Sequence, residues 1–247
     1  MKVLDLFSGI GGFSLGLERA GMTTVAFCEI DKKAQQVLRK HWPDVPIFSD
    51  VQTLTKEALD ERGISVDVIC GGFPCQDISV AGKGEGIEGK RSGLWSEFAR
   101  LIGELRPRYA IVENVSALLN RGLDRVLGDL AEIGYDAEWH CIPASAVGLP
   151  QSRDRIWIVA YSQRNRWLRL DKSIKNSRAS INIQSCVAGG ANPFQLLPAV
   201  GEFFIEPNSD FSRNDDGLSD GLDRLKQLGN AVVPQIPELI GKAIMSC

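Results

Sequence analysis

Short apolar runs alternate with segments of helical periodicity through the first 135 residues, and this alternation constrains the fold more than any other property of the chain. "KVLDLF" reads as a strand and "FSLGLERAG" as a helix ending at Gly21. "TTVAFCEI" is a second strand, followed by "DKKAQQVLRKHW" with Ala34, Val37, Leu38 and Trp42 at helical spacing. "VPIF" and "VDVIC" read as strands on either side of the helix-like "TKEALDERG". "SGLWSEFARLIGELRP" sets Leu94, Phe98, Leu101, Ile102 and Leu105 on one face and stops before Pro107, "YAIVENV" is a strand, and "LDRVLGDLAEIG" is a helix. Strands recurring between helices predict an α/β domain whose parallel sheet is covered on both faces. "AEWHCIPA" and "RIWIVAYS" have no helical pattern between them, so they are expected to pair antiparallel.

Beyond Ser162 the regularity stops. Residues 163–222 are polar, rich in Asn, Ser and Gly, and without strong periodicity. The tail "GNAVVPQIPELIGKAIMS" is helical again, with Pro234 and Pro237 confined to its first turns. The expected organisation is a domain over 1–161, a small irregular lobe over 162–224, and an element over 225–247 returning to the domain. At 247 residues and 44% apolar content, the chain can bury one substantial core and a small second lobe. With no run of eighteen apolar residues, no membrane partner is expected. The N-terminus reads directly into a strand, without the pattern of a secretory signal. The cysteines (Cys28, Cys70, Cys75, Cys141, Cys186 and Cys247) form no C-x-x-C pair. That spacing suits a reducing cytoplasm and argues against a metal site or a disulfide framework.

The formal net charge is −3, but its distribution is uneven. Residues 162–180 carry six Arg/Lys and one Asp, a net +5, whereas residues 201–224 carry seven acids and two Arg, a net −5. Either segment suits a solvated loop. The basic one, with Arg164, Arg166 and Arg169, also suits contact with phosphates.

"DLFSGIGGFSLGL" follows the first strand and opens the first helix. Its glycines let a ligand approach backbone N–H groups and the helix N-terminus. Gly9 and Gly11 fit the dinucleotide fingerprint G-x-G-x-x-G, but Ser14 stands where the third glycine belongs. Glu29 ends the second strand, where an acid in such folds accepts hydrogen bonds from a ribose diol. Asp50 follows the third strand and is suited to an adenine amino group. Three strand ends with this chemistry on one rim favour an adenosyl ligand; Phe7 would either stack on its purine or pack in the core.

Cys75 follows the fourth strand through "GGFP" and so belongs to the same rim. A thiol there is either an ordinary buried cysteine or a nucleophile, since even partly ionised thiols are strongly nucleophilic. Gly82, Gly84, Gly86 and Gly89 in the next stretch suit a loop able to close, and Lys83, Lys90 and Arg91 supply cations. Glu113 and Asn114 end the fifth strand. Burial would raise the pKa of Glu113 and make it a proton donor; the alternative is that Asn114 or Ser116 caps a helix. Arg153 and Arg155, two apart before an apolar strand, share one face and suit an anion or carbonyl.

Taken together, "DLFSGIGGFSLGL", "CEIDK", "GGFPCQDIS", "ENV", "QSRDRIWIV" and "QLGNAVVPQI" occur in the order seen in DNA (cytosine-5)-methyltransferases, and the chain resembles that family over residues 1–161 and 225–247. The resemblance implies a Rossmann-like methyltransferase fold: a mostly parallel seven-stranded sheet with an antiparallel last strand, plus a small target-recognition lobe. It implies S-adenosylmethionine as cofactor, held by Phe7, Gly9, Ile10, Gly12, Glu29, Ile30, Asp50, Val51 and Pro74, with Asn230 and Val232 arriving from the tail. It implies Cys75 as nucleophile, Glu113 as acid on the base, and Arg153 and Arg155 as catalytic groups that hold ring and backbone. The implied partner is double-stranded DNA, touched by Ser79 and Lys83 beside the flipped base, and no metal is implied. The family's Arg-containing block before the C-terminal element has no copy in residues 162–224. The short lobe therefore implies a short target sequence or help from an additional subunit, and a restriction endonuclease partner suits a bacterial or phage-encoded enzyme. An NAD- or flavin-dependent oxidoreductase is the rival reading of the crevice, disfavoured by Ser14 and the Pro-Cys-Gln motif. An idle nucleic-acid binder, or an enzyme of transfer RNA, is the other.

Overall fold

A computed structural model describes residues 1–74, 94–149, 153–162 and 231–246. Seven strands form one sheet: β1 (Lys2–Leu6), β2 (Thr23–Cys28), β3 (Ile47–Phe48), β4 (Val68–Gly71), β5 (Tyr109–Val115), β6 (Tyr135–Pro143) and β7 (Asp154–Ser162). Their spatial order is β3-β2-β1-β4-β5-β7-β6. Strands β1 to β5 pair in parallel, and β7 runs antiparallel to both β5 and β6, as the sequence predicts. The reversal follows from the connection: a 3₁₀ turn at Ala144–Val147 joins β6 to β7, where a parallel crossover would need a helix.

The described helices are α1 (Gly12–Arg19), α2 (Lys32–His41), α3 (Lys56–Asp60), α4 (Leu94–Leu105), α5 (Leu123–Ile133) and α6 (Gln235–Met245). Both sheet faces are apolar, so β5 alternates between two cores. Ala110 and Val112 join Trp95, Phe98 and Leu101 of α4 with Val126 and Leu130 of α5. Tyr109 and Ile111 join Phe13 and Leu17 of α1 with Ile236 and Ile244 of α6. This double burial is why the strands read as continuous apolar runs. No helix among the described residues is long and apolar enough to cross a membrane.

Local chemistry sets the helix ends. The Asp31 carboxylate accepts from the Lys33 backbone N–H at 2.8 Å to open α2, and the Thr55 hydroxyl accepts from Ala58 at 3.3 Å to open α3. In α6, Pro234 sits at the N-cap and Pro237 in the first turn, where no helical N–H is lost. Two expected spans shorten. β3 keeps only two residues of "VPIF", and α1 ends at Arg19, leaving Gly21 (φ 90°) to turn the chain after it.

Strand order reverses between β1 and β4: β2 and β3 lie on one side of β1, β4 and β5 on the other. In doubly wound sheets such a switch opens a crevice at the carboxyl ends of the strands.

Candidate active site

The loop after β1 lies at this switch. Gly9 (φ 53°) and Gly11 (φ 88°) take left-handed conformations that carry the chain from strand to helix in five residues. Ser14, which breaks the glycine fingerprint, has its own role. Its hydroxyl donates to the Asp5 carboxyl at 2.7 Å and its backbone N–H donates to the same oxygen at 3.3 Å. Asp5 is fully buried, and desolvation pushes its pKa up to about 8, against the pull of the Ser14 bonds. A buried carboxyl whose surroundings favour the neutral form therefore joins β1 to the start of α1.

Glu29 stands directly after β2 and is 8% exposed. One carboxylate oxygen accepts from the Gly9 N–H and the other from the Asp31 N–H, each at 2.7 Å. Burial raises its pKa, and these backbone bonds work the other way. The carboxylate is thus oriented before any ligand arrives, with lone pairs left to accept from hydroxyl groups.

These groups border a cavity of about 500 Å³ that runs along the carboxyl rim. Of the residues expected to hold a cofactor, Phe7, Gly9, Glu29, Ile30, Asp50, Val51, Pro74 and Val232 line it. Ile30 is 75% exposed, a large apolar side chain offered to the space instead of to the core. Phe7 both lines the cavity and stacks on Phe98, with centroids 6.4 Å apart. Ile10 and Gly12 do not line the cavity. A Cβ on Gly12 would come within 2.5 Å of the Val232 carbonyl, so Gly12 serves the seating of the tail.

Glu113, in β5, lines the other end of the same cavity, together with Arg153 and Arg155. It is 9% exposed, and one oxygen pairs with Arg155 Nε at 2.8 Å. Desolvation raises its pKa, and the attraction of Arg155 and Arg153 only partly offsets this. A Cβ on Gly72 would meet the second Glu113 oxygen at 2.8 Å, so the carboxyl packs directly on the backbone leading to Pro74. Asn114 is 2% exposed and caps no helix. Its amide nitrogen donates to the Phe73 carbonyl at 3.1 Å, and its oxygen accepts from the Val115 N–H. The chain entering Pro74 is therefore tied to β5. Phe73 and Trp95, on either side of residues 75–93, also meet with centroids 5.5 Å apart.

Cys75, Ser79, Lys83, Arg164, Arg166, Arg169 and Asn230 lie outside the described residues, as does the lobe beyond Ser162. Ser8, Asp31, Ser49, Gln52 and Asn114 also line the cavity, although the sequence reading gave them no part in ligand binding. Their neighbours Gly9, Glu29 and Asp50 were the available signal. Cys28 lines it too, with its thiol pushed up to about 12 by burial and the acids around it, which makes it a poor nucleophile. Among the described residues no cluster of three or more His, Cys, Asp or Glu could hold a metal ion. The lining suits an adenosyl ligand: a preoriented carboxylate and a second acid able to accept hydrogen bonds, an exposed aliphatic side chain and glycine backbone.

Residues 1–193 match the family described as C-5 cytosine-specific DNA methylase. Type II methyltransferase M2.BsuMI of Bacillus subtilis is 42% identical over 168 residues, covering 65% of this chain and 42% of its own. Type II methyltransferase M.NgoBI of Neisseria gonorrhoeae is 37% identical over 165 residues, covering 65% of this chain and 50% of its own. The chain thus spans half or less of these relatives' length. Among solved structures, Spodoptera frugiperda DNMT2 superposes with a TM-score of 0.54 at 25% identity, over 65% of this chain and 50% of that one.

Proposed function

The chain belongs to the C-5 cytosine-specific DNA methylase family, and from that premise we propose that it transfers the methyl group of S-adenosylmethionine to carbon 5 of a cytosine flipped out of double-stranded DNA. One observation carries the reading: a single cavity joins adenosyl-type chemistry around Glu29 to a buried acid, Glu113, flanked by two arginines. Pro74, the residue before Cys75, also lines it.

S-adenosylmethionine, when bound, supplies an electrophilic methyl group. Glu29 and Asp50 would accept from its ribose and adenine, with Ile30 and Phe7 against the purine. The remaining chemistry belongs to the chain. Cytosine carbon 5 is a poor nucleophile, and the Cys75 thiolate activates it by bonding to carbon 6. Glu113 gives its proton to ring nitrogen 3 and so neutralises the charge that addition creates. Arg155 then faces a carboxylate, which it stabilises through the 2.8 Å pair. Carbon 5 takes the methyl group, leaving S-adenosylhomocysteine; a base, water included, then takes the carbon 5 proton as the carbon–sulfur bond breaks to return the Cys75 thiolate, and nitrogen 3 returns its proton to the Glu113 carboxylate. The base must leave the duplex stack first, at a cost of a few kcal/mol.

The test uses a duplex carrying 5-fluorocytosine, the methyl donor and the full chain. The fluorine cannot leave as a cation, so the adduct is trapped, and mass analysis of the digested protein should place it on Cys75. Cys75→Ser should form no adduct and yield no 5-methylcytosine on bisulfite sequencing. Turnover by Cys75→Ser, or binding of NAD in place of S-adenosylhomocysteine in calorimetry, would overturn the reading.

A further inference from the structure

Strand β3 is paired to β2 at two positions only, Phe27 with Ile47 and Cys28 with Phe48. The residues just beyond it, Ser49, Asp50 and Val51, nevertheless form one wall of the cavity. So short an edge pairing leaves the following segment weakly fixed by the sheet itself.

Two helix side chains that do not line the cavity reach this segment. Gln35 of α2 is 4% exposed. Its amide nitrogen donates to the Glu29 carbonyl at 2.5 Å and to the Ser49 hydroxyl at 3.3 Å, and its oxygen accepts from Arg39 at 2.9 Å. One side chain thus joins the ends of β2 and β3. On the far side, Arg100 of α4 donates through Nη2 to the carbonyls of Val51 at 3.0 Å and Leu54 at 2.9 Å. Its Nε and Nη1 pair with Glu97 at 2.7 Å and Glu104 at 2.8 Å. The two carboxylates hold the guanidinium in one orientation, so its third nitrogen is aimed at the turn.

We propose that Gln35 and Arg100 are positioning residues that clamp the segment Ser49–Leu54 from opposite sides, setting the distance between Glu29 and Asp50 to suit one adenosyl ligand. The proposal rests on the cofactor reading above. It also explains the use of arginine: a lysine ammonium would meet the acids but lacks the planar fork that serves two carboxylates and two carbonyls together.

Calorimetric titration with S-adenosylhomocysteine tests it on the full chain, with melting temperature and cofactor-free affinity for duplex DNA read on each variant. Wild type should bind, and Glu29→Ala should bind more weakly; no binding by wild type overturns the cofactor reading and the clamp with it. Given wild-type binding, Arg100→Lys and Gln35→Met should each weaken it about fivefold to twentyfold, the scale of one hydrogen bond involving a charged or buried group, with DNA affinity unchanged. In Arg100→Lys combined with Asp50→Ala, the losses should multiply to less than the product of the singles, because the first acts through the second. Affinity within about twofold of wild type in both single variants, or fully multiplicative losses, would overturn the clamp while leaving the cofactor reading intact. Should Gln35→Met fail to fold, Arg100→Lys, which keeps its charge beside both acids, decides alone.

Discussion

Glu113 is a carboxyl on which burial and two arginines act in opposite directions. Burial prevails and raises its pKa, which suits the proton-donor role proposed for it. The sign of the pH effect follows. The donor is competent below its raised pKa and is lost as pH climbs through it, so wild-type kcat should fall on the alkaline side. Glu113→Gln keeps the size and a hydrogen-bond donor but cannot give up a proton. Its kcat should drop about 10²-fold to 10⁴-fold, and the alkaline fall should disappear. Kinetics across a broad pH range above the ordinary carboxylate value check both; a variant near wild-type rate would remove Glu113 as the acid. The sequence placed this acid on the rim. It could not show that Asn114, its neighbour, ties Phe73 to β5, because a side chain bonding a backbone carbonyl 41 positions away leaves no local signature.

At the scale of elements, α1 and α6 meet through glycine. A Cβ on Gly16 would lie 2.2 Å from the Pro234 carbonyl oxygen, and one on Gly241 would lie 2.7 Å from the Ala20 Cβ. Gly128 in α5 has nothing within 4 Å of the same construction. Identical residues in helices should therefore respond oppositely to substitution. Gly241→Val should overpack the α1–α6 contact and cost about 1–3 kcal/mol. Gly128→Ala should gain about 0.5–1 kcal/mol by restricting the unfolded chain and favouring the helix. Thermal unfolding of both variants is the measurement, and equal shifts would mean that the helices do not approach so closely. Helical periodicity made both elements legible, Pro234 and Pro237 included, but periodicity says nothing of which helix a glycine faces.

For the whole molecule, the buried acid of β1 sets a pH dependence of stability. Asp5 has its pKa raised to about 8 in the fold, against an ordinary 3.8. Between those values the folded chain holds a proton that the unfolded chain releases, so stability falls as pH rises through this window. Glu29 and Glu113, also raised, act in the same direction. Wild type should therefore lose more of its melting temperature than Asp5→Asn between mildly acidic and mildly alkaline buffer. Parallel pH profiles would mean that Asp5 is ionised in the core. The sequence showed only that Ser14 breaks a glycine pattern; the packed sheet paired it with Asp5, nine residues earlier.

The sequence by itself determined the α/β class, the antiparallel closure of the sheet, the family, and the placing of Glu29 and Asp50 just past their strands. All of these rest on residue spacing, which periodicity and motif order record directly. Glu113 instead lies inside β5, which runs on to Val115. Tertiary structure alone decided that Glu29 meets Gly9, that Gly12 seats the tail and does not line the cavity, and that Gln35 and Arg100 grip the edge beyond β3. Those outcomes depend on which surfaces come together when strands distant in the chain pair, and a linear pattern carries no term for that.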